Sequence, residues 1–254
     1  VVTNLAMAAR ARGLDTAYMD CDVEEPNGAL FLNPKIEAAA PVESCVPALD
    51  SGKCSGCRKC AEICRFNAIA AIGEKVLLFP ELCHGCAGCW MVCPTGAMRE
   101  SKRAVGVLET GLAGGIKFAQ GRLNVGEAMS PPVIRAVKKN APECDILIID
   151  SPPGTSCPVV ESVRGAGLVL LVTEPTPFGL NDLRIAVDMT RALGLPSEVV
   201  INRAGSGDSR TRDYCASEGI EILAEIPDDR RVAEAYSEGK TAFERVPEYA
   251  EVFD

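Results

Sequence analysis

No stretch of the 254 residues approaches the roughly 20 apolar side chains in a row that a membrane-spanning helix needs. The chain also opens without an apolar segment of the secretory kind. Nor is there a surplus of positive charge. Lys and Arg number 26 against 35 Asp and Glu, a net charge of −9, which removes the basic face a nucleic-acid partner would demand. There is one histidine, His84, and one tryptophan, Trp90. These absences point to a cytoplasmic protein with no membrane span and no nucleic-acid partner, long enough to bury a substantial core.

Cysteine is what the sequence has in quantity. Thirteen cysteines without a secretory segment argue for a reducing compartment, because secreted chains use cysteines as disulfide frameworks. Eight of them fall in two runs of one spacing: Cys54-x-x-Cys57-x-x-Cys60-x-x-x-Cys64, and Cys83-x-x-Cys86-x-x-Cys89-x-x-x-Cys93 followed by Pro94. This is the spacing with which bacterial ferredoxins ligate iron-sulfur clusters, three thiolates serving one cluster and the fourth reaching across to the other. On that pattern Cys54, Cys57, Cys60 and Cys93 hold one [4Fe-4S] cluster, and Cys83, Cys86, Cys89 and Cys64 hold the second. Two structural zinc sites are the rival reading, but zinc needs only two Cys-x-x-Cys pairs per site and leaves the third cysteine and the tail of each run without a reason. Arg65 stands where the ferredoxin pattern has proline, and its fixed charge is expected to raise the potential of the cluster that Cys64 ligates. Cys21, Cys45, Cys144, Cys157 and Cys215 read as small buried thiols. His84 reads as a loop filler rather than a ligand, and Trp90 as packing beside a cluster.

Apolar periodicity supplies the frame around these runs. Residues 1–12 have helical spacing closed by Gly13, and a short strand at 17–19 ends in Asp20-Cys21-Asp22. Composition changes at about 45–103 to short Gly- and Cys-rich turns whose halves repeat each other, an insert joined by tethers at 28–50 and 104–128. Residues 106–126 are glycine-rich and read as loops with one short element. Ser130-Pro131 opens a helix to about 140. The run 146–149 reads as a parallel strand buried on both faces, ending at Asp150. Further apolar strands at 168–172, 199–201 and 220–226 alternate with helices, one of them at 181–193. The expected fold is α/β, a three-layer doubly wound and mainly parallel sheet with a small α+β ferredoxin-like domain inserted, divided as 1–44, 45–103 and 104–254.

Ligands of such sheets bind beyond the carboxyl ends of the strands. The residues there are Asp20 and Asp22, then Asp150 with Ser151-Pro152-Pro153-Gly154, then Asn202-Arg203, then Pro227-Asp228. In this order, and with Thr173-Glu174-Pro175-Thr176-Pro177, they resemble the deviant Walker A ATPases of the MinD/ParA/Mrp group over 1–44 and 104–254. The resemblance implies that Asp22 orients the attacking water and that Asp150 is the acid holding Mg²⁺ and its waters. It also implies a switch loop at Pro153 and Gly154, and adenine contacts from Asn202 and Pro227, with Asp20 and Arg203 completing the nucleotide site. The family's phosphate loop, G-K-G-G-x-G-K-[ST], does not occur in the sequence, and 111–115 lacks the Lys-Ser or Lys-Thr that would follow it. Val1 falls inside what reads as the helix after that loop. The expectation is a first strand and phosphate loop ahead of Val1, with Val1 close to Asp22 and Asp150; the alternative is a pseudo-ATPase.

The insert narrows the resemblance to MinD-like ATPases that carry a ferredoxin domain. What this implies is an ATPase that couples ATP binding or hydrolysis to electron transfer through two [4Fe-4S] clusters. Its cofactors are then the clusters and ATP or ADP with Mg²⁺. Its partners are a redox or cluster-accepting protein and a second copy of itself in a nucleotide-dependent homodimer. Two rivals stand beside it: an iron-sulfur carrier or assembly scaffold of the Mrp type, and a spatial organiser of the ParA/MinD type. The organiser would want a basic face or a basic C-terminal helix, whereas 247–254 is acidic.

Overall fold

The computed structural model describes residues 1–253. Helix α1 (Val2–Ala11) ends where Gly13 takes φ +85°, a left-handed geometry that glycine adopts without a Cβ clash. Strand β1 (Thr16–Asp20), helix α2 (Gly28–Leu32) and the 15-residue strand β2 (Lys35–Leu49) follow. A cysteine-rich lobe comes next, made of α3 (Lys59–Ile63), the hairpin β3 (Ile69–Ile72) and β4 (Lys75–Leu78), a 3₁₀ turn at Pro80–Leu82, and α4 (Gly88–Met91). Strand β5 (Met98–Ala113) returns from the lobe, turns into β6 (Ile116–Leu123), and leads through α5 (Pro131–Lys139) to β7 (Ile146–Asp150). The rest alternates: α6 (Cys157–Val163), β8 (Val169–Thr173), α7 (Pro177–Ala192), β9 (Ser197–Ala204), α8 (Arg210–Glu218), β10 (Ile222–Pro227), α9 (Arg230–Ser237) and α10 (Ala242–Arg245).

The strands form a five-stranded sheet in the order β2-β5-β6-β1-β7, a three-stranded sheet β10-β9-β8, and the β3-β4 hairpin. β1 is parallel to both β6 and β7, and β9 is parallel to both β8 and β10, so the centre of the molecule is parallel α/β as expected. Alternate side chains of β1 serve opposite layers. Met19 packs with Val133, Ile134 and Val137 beneath α5, while Tyr18 packs with Ala6 of α1 and stacks on Phe118 at 5.7 Å. A second core joins Leu171, Val199 and Ile201 of the three-stranded sheet to Leu183 and Val187 of α7. Each such fully buried aliphatic side chain is worth about 1.5–3 kcal/mol relative to exposure. α7 starts earlier than its periodicity predicts, because Thr176 caps it by accepting the Gly179 amide at 3.0 Å and Pro177 occupies its first turn.

Two expectations of secondary structure and burial fail. Residues 106–126 are not loops, since they make most of the β5-β6 hairpin. Several of their glycines reflect crowding: a Cβ at Gly111 would lie 2.0 Å from the Lys35 carbonyl oxygen, and one at Gly106 2.5 Å from that of Arg122. The tether at 28–50 is mostly strand β2. It tolerates Pro41 and Pro47 because it lies at the edge of the sheet, where an N–H is not needed on both sides. β7 is not buried on both faces, and Ile146 and Leu147 keep 36% and 37% of their surface, because β7 ends the five-stranded sheet with no hydrogen bond to β8. The insert boundaries at 44/45 and 103/104 fall inside one continuous ladder, with Ser44 paired to Arg103 and Cys45 to Lys102. A stiff two-stranded ribbon therefore carries the lobe. Among the described residues no helix is long and apolar enough to cross a membrane.

Candidate functional site

Two groups of residues carry chemistry, one at the carboxyl ends of the parallel strands and one in the cysteine-rich lobe. In the lobe the two runs share their backbone geometry at an offset of 29 residues. Gly56 and Gly85 have φ +68° and +65°, Arg58 and Ala87 +64° and +67°, and Asn67 and Gly96 +54° and +63°. Left-handed residues at matched points wind each run into the same tight loop, and α3 and α4 then bring Cys60 and Cys89 inward as buried side chains.

Two cavities result. One is lined by Cys83, Cys86 and Cys89 of the second run with Cys64 of the first, beside Phe66 and Trp90. The other is lined by Cys54, Cys57 and Cys60 with Cys93 of the second run, beside Val76 and Met98. Among the described residues no three Cys, His, Asp or Glu side chains gather on one point, and the thiols line the walls of the two cavities. The donor set and its apolar surroundings fit a cluster bound by four thiolates. Backbone amides turn toward the sulfurs: Gly85 donates to Cys83 Sγ and Met98 to Cys93 Sγ, each at 3.4 Å. The Met98 bond draws the Cys93 thiol below its ordinary pKa, whereas burial pushes Cys89 up to about 11 and also raises Cys60. His84 stacks on Phe66 with ring centres 3.7 Å apart, which suits a packing role.

At the strand ends, β1 and β7 bring Asp20 and Asp150 into register, and the Cys21 amide donates to the Asp150 carbonyl oxygen at 2.8 Å. The Asp20 carboxylate is fully buried and accepts the Gly28 amide at 2.9 Å and the Asp22 amide at 3.1 Å. Burial outweighs these bonds and pushes Asp20 up to about 7. Asp150 is also raised by burial, against a bond from the Tyr18 hydroxyl to its Oδ2 at 2.6 Å. Asp22 is half-buried and raised, first by burial and then by the charge of Asp150 and of Glu24 and Glu25. The three aspartates thus share one electrostatic neighbourhood. Val1 packs beside Val200 of β9 and Ile226 of β10, joining the start of α1 to these two strands.

Pro153 and Gly154 lie exposed in the loop after β7, with Gly154 at φ +91°. The loop is tied to α6 by a hydroxyl-hydroxyl bond between Ser151 and Ser162. Lys138 of α5 caps the far end of α6, donating to the carbonyl oxygens of Glu161, Ser162 and Arg164 at 2.9, 2.8 and 2.6 Å. Asn202 is half-buried on β9, and Pro227 is exposed at the end of β10, paired with Ala204. Arg203, at φ +54°, turns outward and pairs with Asp228 at 3.2 Å and Glu174 at 3.7 Å, linking the ends of three strands.

Sequence reasoning did not single out Tyr18 or Gly28. A Cβ at Gly28 would meet the Tyr18 hydroxyl at 2.3 Å, a contact with no sequence signature. Nor are all five remaining cysteines buried. Cys21 and Cys215 are, but Cys45 and Cys144 are half-exposed and Cys157 is exposed, because it opens the first turn of α6 on the solvent side.

The family model of the CobQ/CobB/MinD/ParA nucleotide binding domain matches residues 1–242. An uncharacterized protein of Methanocaldococcus jannaschii is 30% identical over 230 residues, covering 89% of this chain and 80% of that protein. A cytosolic Fe-S cluster assembly factor, the Nubp2 homolog of Anopheles gambiae, is 32% identical over 128 residues, covering 43% of this chain and 49% of that one. Hydrogenase-4 component A of Escherichia coli is 29% identical over 158 residues, covering 57% of this chain and 71% of that one. The septum site-determining protein MinD of Pyrococcus horikoshii, solved with Mg-ADP, has the same fold, with a TM-score of 0.58 at 17% identity over 99% of this chain and 85% of that one.

Proposed function

This chain belongs to the CobQ/CobB/MinD/ParA nucleotide-binding family, and from that premise we propose an iron-sulfur ATPase that couples ATP binding or hydrolysis to electron transfer through two [4Fe-4S] clusters. The observation that carries the reading is the pair of four-cysteine cavities, each taking three thiols from one run and the fourth from the other. Cys64, Cys83, Cys86 and Cys89 would hold one cluster, and Cys54, Cys57, Cys60 and Cys93 the second. When bound, such clusters supply one-electron redox steps at potentials set by charge, amide donors to sulfur and solvent exposure.

The chain's own residues divide the remaining work. Asp150 would hold Mg²⁺ through its waters, and Asp22 would orient water for attack. Asp20 fixes the Asp22 loop through two amide bonds, and Tyr18 orients the Asp150 carboxylate. Pro153 and Gly154 would sense the terminal phosphate, and Asn202 and Pro227 would border the adenine, with Arg203 bracing the two strand ends. A nucleotide-dependent homodimer is also part of the proposal, in a cytoplasmic setting with a separate redox protein.

A redox titration of both clusters tests this reading, run with and without a saturating non-hydrolysable ATP analogue and Mg²⁺ on protein whose chain carries the family's phosphate loop. Coupling is reciprocal, so a tenfold change in the reduction equilibrium appears as a midpoint shift of about 59 mV for one electron. Identical midpoints in the two states would retire the coupling. The likeness to an Fe-S cluster assembly factor favours a second reading, a cluster carrier. A carrier would lose its clusters to an apo-ferredoxin within minutes, whereas fixed redox clusters would stay.

A further inference from the structure

The two cysteine runs are tied to their surroundings in different ways. In the first run, Gly56 leans on Glu74 of the lobe's own hairpin, and Arg58 donates to the Gly73 carbonyl in the same hairpin. The second run leans outward instead. Its equivalent glycine, Gly85, sits against β2, where an added Cβ would lie 3.1 Å from the Cys45 carbonyl oxygen. The turn that leads into Cys83 is held by a side chain from the root of the ribbon. Arg103 donates through Nη2 to the Pro80 carbonyl oxygen at 3.4 Å, and the Cys83 amide donates to that same oxygen at 3.1 Å.

The guanidinium is set in place from the core side. Glu127, whose side chain is only 7% exposed, takes both terminal nitrogens of Arg103 in a two-pronged bond at 2.5 and 2.6 Å. The Arg103 Nε is buried with no partner among the described residues, and the guanidinium is placed by its bonds to Glu127 and Pro80. Glu127 lies in the segment that leads into α5. α5 packs on Val23, beside Asp22, and through Lys138 caps the helix that follows the 151–156 loop.

We propose that Arg103 is a positioning residue for the cluster held by Cys64, Cys83, Cys86 and Cys89: clamped by Glu127, it fixes the Pro80–Cys83 turn to the nucleotide-binding core, whereas the wall of the other cavity takes Leu49 and Met98 directly from the ribbon strands. The inference rests on the iron-sulfur reading above. A guanidinium fork fixes both position and charge, whereas an ammonium in its place keeps the charge and loses the two-pronged geometry. Arg103→Lys therefore isolates positioning from net charge, and Glu127→Gln loosens the same clamp from the other side.

The experiment is an EPR-monitored redox titration of the full chain, anaerobically reconstituted, as wild type, Arg103→Lys and Glu127→Gln. Cys54→Ser and Cys86→Ser assign the two signals. The expected result is that both clamp variants change the reduction equilibrium of the Cys86-assigned cluster threefold or more, about 30 mV for one electron, and alter its EPR line shape. The Cys54-assigned cluster changes by less than half as much. Urea midpoints are measured alongside, and a variant too unstable to titrate is replaced by Glu127→Asp, which keeps the charge pair, shortens its reach and should shift the same cluster in preference to the other. Equal shifts of both clusters, or no shift of either, overturn the inference and leave the iron-sulfur reading standing. A chain that takes up no iron overturns both.

Discussion

Tyr18 donates its hydroxyl to Asp150 across the β1-β7 pair at 2.6 Å, so the acid proposed to hold the metal is oriented by a fully buried neighbour on the next strand. Replacing Tyr18 with Phe keeps the stack on Phe118 and deletes only that donor. The expected cost is about 1–2 kcal/mol, the usual range for leaving a partly buried acceptor short of a bond. In urea unfolding the midpoint should fall with the slope unchanged. An unaltered midpoint would mean that the hydroxyl bond does not hold Asp150.

Asp20 makes stability depend on pH in an unusual direction. Its carboxyl is raised to about 7 in the folded chain by burial, against about 3.9 when unfolded. Between these values the folded state binds a proton that the unfolded state has lost, so stability is fully present at low pH and declines as pH rises through 7. For nucleotide-free, Mg²⁺-free protein, the loss between pH 4 and pH 8 should be on the order of 2–4 kcal/mol. Asp20→Asn should flatten this slope. A wild-type profile that is level or rising across pH 5–8 would contradict the assignment.

The crossing of the two runs makes Cys93 a member of the first cavity. Cys93→Ser should therefore perturb the cluster served by Cys54, Cys57 and Cys60 and leave the EPR signal of the other intact. Loss of the Cys83-run signal alone would reverse the ligand assignment.

Arg65 is exposed directly after Cys64. Its charge favours the more negative reduced state, so Arg65→Pro should lower the midpoint of that cluster. Solvent screening limits the effect to about 10–40 mV, the electrical equivalent of an exposed charge interaction. A midpoint that stays or rises would show that the charge does not reach the cluster.

The α/β frame and the residues at its strand ends were legible because buried parallel strands write themselves as apolar runs, and the residue closing each run is where ligands meet the sheet. Asp20, Asp22 and Asp150 could be found this way. The ribbon β2-β5 could not. Ala38, Ala39 and Ala40 with Pro41 and Pro47 give no strand period, and pairing with β5 rather than local preference makes the strand. Gly106 and Gly111 misled because a sequence shows that a Cβ is missing but not what would collide with one. Tyr18, Gly28, Arg103 and Glu127 act through partners up to 132 residues away, and such contacts exist only after folding.

Metal content of the anaerobically purified chain tests the central claim most directly. Two four-iron clusters predict about eight iron and eight acid-labile sulfide per chain, with Cys54→Ser and Cys86→Ser each removing about half. About two zinc per chain with no sulfide would contradict the account and return the cysteine runs to a structural role.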